Sequence, residues 1–335
     1  MLAKIELGQQ MAAEIAQIPS VFSKRVSRSV DLDGQFDDLQ AIYTVARGSS
    51  DAAANILSYE WMRELQLPVT SLPPSVFSLG TGVRLDRSAC LLISQSGASE
   101  DLVKSARGAR ARGAKVVALT NQPGSAVEQA ADICVPLDAG PEFAVPATKT
   151  VIGSIAAGMA ILASHSPDYA AICKRDAAEV TKVAGQQHPD YETIIHGLIR
   201  SQHIYVIGRD TGFGAAQEVA LKLKECCALH AEAYSASEVL HGPLQLVTKP
   251  LTVLLLDTGL KSTQQSLDRA EERFRASGAK VFRISPIDVD VPILSPAASA
   301  AILLYLVYPI VRQVALALSL DPDTPQTLSK VTSTL

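Results

Sequence analysis

Cysteine is scarce in this 335-residue chain: five residues (Cys90, Cys134, Cys173, Cys226, Cys227), an odd number, with no CxxC spacing among them. That pattern fits reduced thiols better than a disulfide framework or a thiolate metal site. The six histidines form no HxxxH or HxH pair, so no bound metal is expected. No basic block is present, and 30 Lys+Arg against 34 Asp+Glu leave a net charge of −4. A surface for polyanions is therefore missing, and nucleic acid is not an expected partner. The apolar runs are broken well before the roughly 20 residues of a membrane span; the longest candidate, Ala297 to Val311, contains Pro309. No transmembrane helix and no membrane partner are expected. Residues Met1 to Ser20 carry Lys4, Glu6 and Glu14 and lack the apolar core of a signal peptide, which predicts a cytoplasmic protein.

What the chain does have is enough apolar content, 47%, and enough length for two domains of about 150 residues each. It also repeats itself. Ile42-Tyr43-Thr44-Val45-Ala46-Arg47-Gly48, a β-branched run ending in a glycine turn before an Ala-rich helical pattern, returns as Ile204-Tyr205-Val206-Ile207-Gly208-Arg209-Asp210 before another helix. At the same offset, Leu91 to Gly97 matches Val253 to Gly259, each an apolar strand running into a polar turn. Gly113 to Leu119 resembles Gly278 to Ile284, where a helix stops at glycine and a buried strand begins. Strands alternating with helices predict one α/β architecture used twice, each copy a doubly wound, mainly parallel sheet flanked by helices and flavodoxin-like. The expected boundaries are a helical segment over 1–30, a first domain over 31–170, a linker helix over 171–197, a second domain over 198–318 and a tail over 319–335.

Parallel sheets bind ligands beyond the carboxyl ends of their strands. In the first copy those ends carry Gly48-Ser49-Ser50 and Ser94-Gln95-Ser96-Gly97-Ala98-Ser99, the latter opening a helix near Glu100. Backbone N–H groups and the helix dipole at such a terminus favour an anion, and hydroxyls add neutral donors, which suits a phosphate monoester. Taken alone, Ser96 or Ser99 fits equally well as a helix cap. Two converging serine loops favour a ligand, whereas the aligned loop Leu256-Asp257-Thr258-Gly259 has lost its serines, leaving one phosphate site. The loops lack GxGxxG and GxxxxGK[ST], so neither a dinucleotide nor a nucleoside triphosphate is indicated. A small sugar phosphate remains, with no cofactor.

The segments Glu218-Val219-Ala220-Leu221-Lys222-Leu223-Lys224-Glu225, His230-Ala231-Glu232-Ala233-Tyr234 and His241-Gly242-Pro243-Leu244 resemble the sugar isomerase (SIS) family, and within it the isomerase half of the glutamine:fructose-6-phosphate amidotransferases. Gly48-Ser49-Ser50, Ser94 to Gly97, Ala147-Thr148-Lys149 and Leu328-Ser329-Lys330 resemble that family in the same order, from about residue 40 onward. The resemblance implies two tandem SIS domains, a homodimer with shared active sites and a role for each matching residue. Glu225 would carry a proton between C2 and C1 of an opened sugar, working from a partly buried position. His241 would open the ring, Lys222 would stabilise an enediolate oxygen or orient the carboxylate, and Lys330 would reach the open-chain oxygen from a closing tail. Gly48, Ser49, Ser50, Ser94, Gln95, Ser96 and Ser99 would hold the phosphate, and Val145 and Ala147 would line the sugar.

Spacing alone is content with less. Glu218, Lys222 and Glu225 fit one salt-bridged, solvent-facing helical face; His241 fits a buried structural histidine, a part for which His230 is the better candidate; the tail fits a frayed end. Ala147 stands where the amidotransferase pattern has serine, and Pro146 alters the same loop, which leaves the sugar open. Because the chain starts almost at the isomerase part, with no glutaminase segment ahead of it, the expected activity is that of the SIS-type glucosamine-6-phosphate deaminases. A ketose/aldose phosphate isomerase or a fructosamine-6-phosphate deglycase is the alternative enzyme. A sugar-phosphate sensor is the alternative outside enzymes, although the first forty residues hold no helix-turn-helix.

Overall fold

A computed structural model describes residues 7–32, 34 and 36–330. In chain order its elements are α1 (Gln9–Val26), β1 (Ala41–Val45), α2 (Ser49–Leu65), β2 (Val69–Ser71), α3 (Ser75–Ser78), β3 (Ser88–Ser94), α4 (Glu100–Ala111), β4 (Lys115–Thr120), α5 (Ala126–Ala130) and β5 (Ile133–Pro136). They continue with α6 (Lys149–His165), α7 (Pro167–Lys182), α8 (Tyr191–Ile199), β6 (His203–Gly208), α9 (Thr211–Cys227), β7 (Ala231–Ser235), β8 (Leu251–Leu256), α10 (Gln264–Ala276), β9 (Lys280–Ile284) and α11 (Pro296–Ala317). Short 3₁₀ turns lie between them, one of them over Glu238–His241.

The N-terminal compact unit comprises Ser20–Pro141 and Lys149–Ala178. Its five strands are all parallel, in the order β2-β1-β3-β4-β5. Every residue of β3 is buried, as helices on both faces of a parallel sheet require. The crossovers change direction along the sheet between β1 and β3, the switch point beside which parallel sheets of this winding hold their ligands.

The C-terminal unit comprises the chain up to Pro19, Glu142–Thr148 and Glu179–Lys330. Its parallel sheet runs β7-β6-β8-β9, the same winding with its own switch point between β6 and β8. The sequence repeat is thus a structural one, two parallel sheets each flanked by helices. The segment Glu142–Thr148, expected inside the first domain, clusters with the second unit for a reason visible in its hydrogen bonds. Glu14 of α1 accepts the backbone N–H groups of Phe143 and Ala144, and Val145 donates to the Asp323 carbonyl at 2.8 Å. Residues 171–197 hold parts of two helices, α7 and α8, with a turn between them.

Two expectations fail on tertiary grounds. Pro309 does not end α11, which runs 22 residues straight through it. That helix is long and apolar enough to cross a membrane by length and composition, and 72% of its most apolar window is buried inside the protein. Packing of α11 along α9 and burial of nearly every side chain from Ala297 to Val311 outweigh the hydrogen bond a proline removes. The buried histidine is His188 rather than His230 or His241, both of which are exposed. The His188 Nδ1 atom accepts the Asp190 backbone N–H at 3.0 Å, so Nε2 carries the proton toward Asp288, also at 3.0 Å.

Candidate active site

In the N-terminal unit the two serine loops leave neighbouring strands at the same end, because β1 and β3 pair in parallel from Ala41 with Ser88 to Val45 with Leu92. Gly48 sits at φ 54°, ψ −128°, a backbone conformation that glycine adopts without a Cβ penalty, and it turns the chain directly into α2. Gly97, at φ 59°, has a second constraint: a Cβ there would lie 2.2 Å from the Ser125 hydroxyl. The loop after β3 is tight because this position is glycine.

The serines divide the work between them. The Ser94 hydroxyl is buried and accepts the Gly97 N–H at 3.0 Å, so it braces the loop from inside. Ser96 is half-buried and accepts only the Ala98 N–H, at 3.3 Å. Ser99 occupies the N-cap of α4 but makes no side-chain capping bond. Capping therefore does not account for either Ser96 or Ser99, and both stay half-buried together with Gln95, Ser49 and Ser50. Asp101, buried in the first turn of α4, would repel an anion; Arg47 pairs with it, and Asp101 also accepts the Leu102 N–H. The charge of that turn is thus met locally, which leaves the dipole of α4 available to a phosphate. Arg47 was not singled out in the sequence, where its recurrence as Arg209 was the available signal.

At the matching strand ends of the C-terminal unit, side chains bond one another. Arg209 donates to the hydroxyls of Ser235 and Ser237. Asp257 accepts from Gly259, Gln264 and Arg283 at 2.7 to 3.0 Å.

The second group of expected residues lies in the C-terminal unit. Glu218, Lys222 and Glu225 do share one face of α9, but that face is turned inward: Glu218 and Lys222 are 0% exposed, and the Glu225 side chain is 24% exposed. The Lys222 ammonium lies 2.5 Å from Glu225 Oε2 and 3.5 Å from Glu218 Oε1. Burial alone pulls an ammonium toward neutrality, yet the attraction of Glu218 and Glu225 outweighs it and raises the Lys222 pKa, so this lysine stays charged. Burial pushes the neighbouring Cys226 thiol up to about 12, which keeps it protonated and unreactive.

Lys330 reaches the loop that carries Val145 and Ala147. The Lys330 ammonium donates to the Ala144 carbonyl and lies 3.4 Å from Glu142 Oε2, while Glu142 Oε1 accepts the Thr148 N–H at 3.0 Å. The tail is no frayed end. Asp323 accepts the Gln10 and Met11 N–H groups at 2.9 and 2.8 Å, two carboxylate bonds at the positive end of α1. Sequence reasoning missed Glu14 and Glu142, whose partners are read only from the folded chain. His241 ends a 3₁₀ turn, exposed, and makes no side-chain hydrogen bond among the described residues.

Known proteins resemble this chain along most of its length. The SIS domain family profile matches residues 37–164 and 197–300. A glutamine–fructose-6-phosphate aminotransferase [isomerizing] of Clostridium perfringens is 30% identical over 321 residues, covering 88% of this chain and 52% of that protein. The chain thus spans about half the length of the curated relatives it matches. Among solved structures, a candidate phosphosugar isomerase from Silicibacter pomeroyi DSS-3 superposes with a TM-score of 0.82 at 33% identity, over 94% of this chain and 99% of that one. The C-terminal domain of the glucosamine-fructose-6-phosphate aminotransferase of Francisella tularensis shares the fold, with a TM-score of 0.81 at 23% identity, over 96% of this chain and 100% of that domain.

Proposed function

This chain belongs to the SIS domain family, and we propose that it is an enzyme converting phosphorylated sugars at C1 and C2, specifically a glucosamine-6-phosphate deaminase releasing fructose 6-phosphate and ammonia. The observation that carries this reading is Glu225: a half-buried carboxylate with Oε2 held by a fully buried ammonium and Oε1 without a hydrogen-bond partner among the described residues. A base that must take and return the same proton needs one oxygen fixed and one free. The Clostridium relative, whose name joins fructose 6-phosphate, amino transfer and isomerisation, supports an aminosugar substrate.

In this mechanism Ser49, Ser50, Gln95, Ser96 and Ser99 hold the phosphate, and His241 protonates the ring oxygen as the sugar opens. Glu225 takes the C2 proton, the electron pair moves to the C1 carbonyl, and a proton enters at O1 to give an enolamine. Glu225 then returns its proton to C1 while the nitrogen loses one, leaving a C1 alcohol and a C2 imine. Water adds to C2, ammonia departs, and a ketose phosphate remains. Lys222 orients Glu225 throughout, and Lys330 contacts the open-chain oxygen. The exposure of His241 supports its serving a neighbouring subunit, so the reading includes a homodimer, which sedimentation tests, in the cytoplasm.

The deciding experiment measures ammonia release from the 6-phosphates of glucosamine, galactosamine and N-acetylglucosamine. Glu225→Gln is expected to lower turnover by at least about a thousandfold while still binding the sugar phosphate; normal turnover in that variant would refute the assignment. The likeness to the Silicibacter protein favours one other reading, a plain ketose/aldose isomerase, for which the same assay yields a new sugar phosphate and no ammonia.

A further inference from the structure

Glu218 is the least explained charge near the proposed site. It is fully buried, one helical turn from Lys222, and it meets the same ammonium that holds Glu225. Two carboxylates therefore compete for one cation, and simple electrostatics would centre Lys222 between them. It is not centred: it lies 2.5 Å from Glu225 and 3.5 Å from Glu218. Glu218 also has a partner on another helix. Tyr308 of α11, 0% exposed, donates its hydroxyl to Glu218 Oε1 at 3.0 Å, the same oxygen that faces Lys222.

We propose that Tyr308 is a positioning residue for proton transfer: by hydrogen-bonding Glu218 it lowers that carboxylate's demand on Lys222 and leaves the ammonium leaning on Glu225. The inference deepens the functional reading above and rests on Glu225 being the base. The hydroxyl is suited to the task because it stays protonated. Burial, then the charge of Glu218, hold its pKa well above the ordinary tyrosine value. Glu142 and Glu225 act on it in the same direction. Around the cluster, the charged or titratable groups are Glu218, Lys222, Glu225 and Cys226 on α9, Tyr308 on α11, Glu142 in its loop and Asp323 in the tail. Lys330 lies 3.4 Å from Glu142 on the loop side, and Lys222 is the cation that Glu218 and Glu225 share. A neutral donor is what such a cluster can accept without adding a second buried charge.

Three variants test it: Tyr308→Phe, the double variant Tyr308→Phe/Glu218→Gln, and Tyr305→Phe as control. Tyr305 is buried on the same helix, and its hydroxyl accepts the Gly185 N–H at 2.9 Å, so its loss probes stability alone. Tyr308→Phe is expected to lower kcat about tenfold or more with KM nearly unchanged, from the loss of one hydrogen bond to a buried charge. The acidic limb of its kcat profile should move to higher pH, because Lys222 now shares itself with Glu218. Making residue 218 neutral removes the competitor, so the double variant should recover kcat and bring the limb back. Tyr305→Phe should lower Tm and leave the limb in place. A Tyr308→Phe enzyme with parental kcat and limb, or a double variant slower than the single one, overturns the proposal. Carbon-13 NMR of the Glu225 carboxyl, identified through Glu225→Gln, keeps the two readings apart. If no phosphosugar is turned over but this carboxyl still titrates at higher pH in Tyr308→Phe, positioning stands and the function falls; if it titrates as in the parent, positioning falls too.

Discussion

Replacing Lys222 with methionine removes the ammonium that two carboxylates of α9 share. Glu218 and Lys222 are both 0% exposed and 3.5 Å apart, a distance at which one ion pair is worth about 5 kcal/mol at an effective dielectric near 20. Breaking a buried pair from one side typically costs about 3–5 kcal/mol. Methionine also spares the desolvation of the ammonium, so the lower part of that range is expected. At about 2–4 °C per kcal/mol for a unit of this size, Tm should fall by roughly 6–12 °C. The pH dependence is equally specific. The folded-state pKa of Lys222 is raised above its ordinary 10.5, so its contribution is complete at all pH values below that and is lost only as pH climbs through the folded value. In the variant, Glu218 has lost the ammonium 3.5 Å away, and protonating it relieves the strain. The deficit should therefore be larger at pH 7.5 than at pH 5, as read from urea and thermal unfolding of both proteins. A deficit under about 1 kcal/mol, or one that grows on acidification, would show that the three groups do not interact as their geometry requires.

Two further outcomes are expected. Ser96→Ala should raise KM for a sugar phosphate about ten- to hundredfold, the loss of one hydrogen bond to a charged group, while leaving Tm near the parental value; an unchanged KM removes Ser96 from the phosphate site. Burial, and then the nearby charge of Glu142, raise the Glu14 pKa from 4.5 against the pull of the Phe143 and Ala144 amides. Its stabilising contribution is complete below 4.5 and is lost as pH rises through the folded value. Glu14→Gln should thus match the parent near pH 4 and exceed it at pH 7, as seen by calorimetry; a variant less stable at pH 7 than at pH 4, relative to the parent, contradicts that assignment.

Much of the architecture was legible because it depends on local pattern. The strand-turn-helix repeat at Ile42 and Ile204, the apolar runs of β3 and β8 and the glycine stops before β4 and β9 are all short-range signals, and the two sheets follow from them. The serine loops were legible for the same reason, since a strand end followed by a helix start fixes where backbone N–H groups point. Failures came where a residue's state is set by distant chain. Pro309 reads as a breaker until α11 is seen packed along α9. His230 reads as the buried histidine until His188 is found against Asp288, 100 residues away in sequence.

The amino-acid order by itself determined which residues could do chemistry: i, i+4, i+7 spacing on α9 places Glu218, Lys222 and Glu225 on one face whatever surrounds it. Only tertiary packing decided that this face points inward, which turns an exposed pair of little consequence into a buried cation governing a carboxylate. It alone brought Tyr308, Glu142 and Lys330 to their partners, because desolvation and long-range contact are properties of the folded chain and leave no mark on spacing.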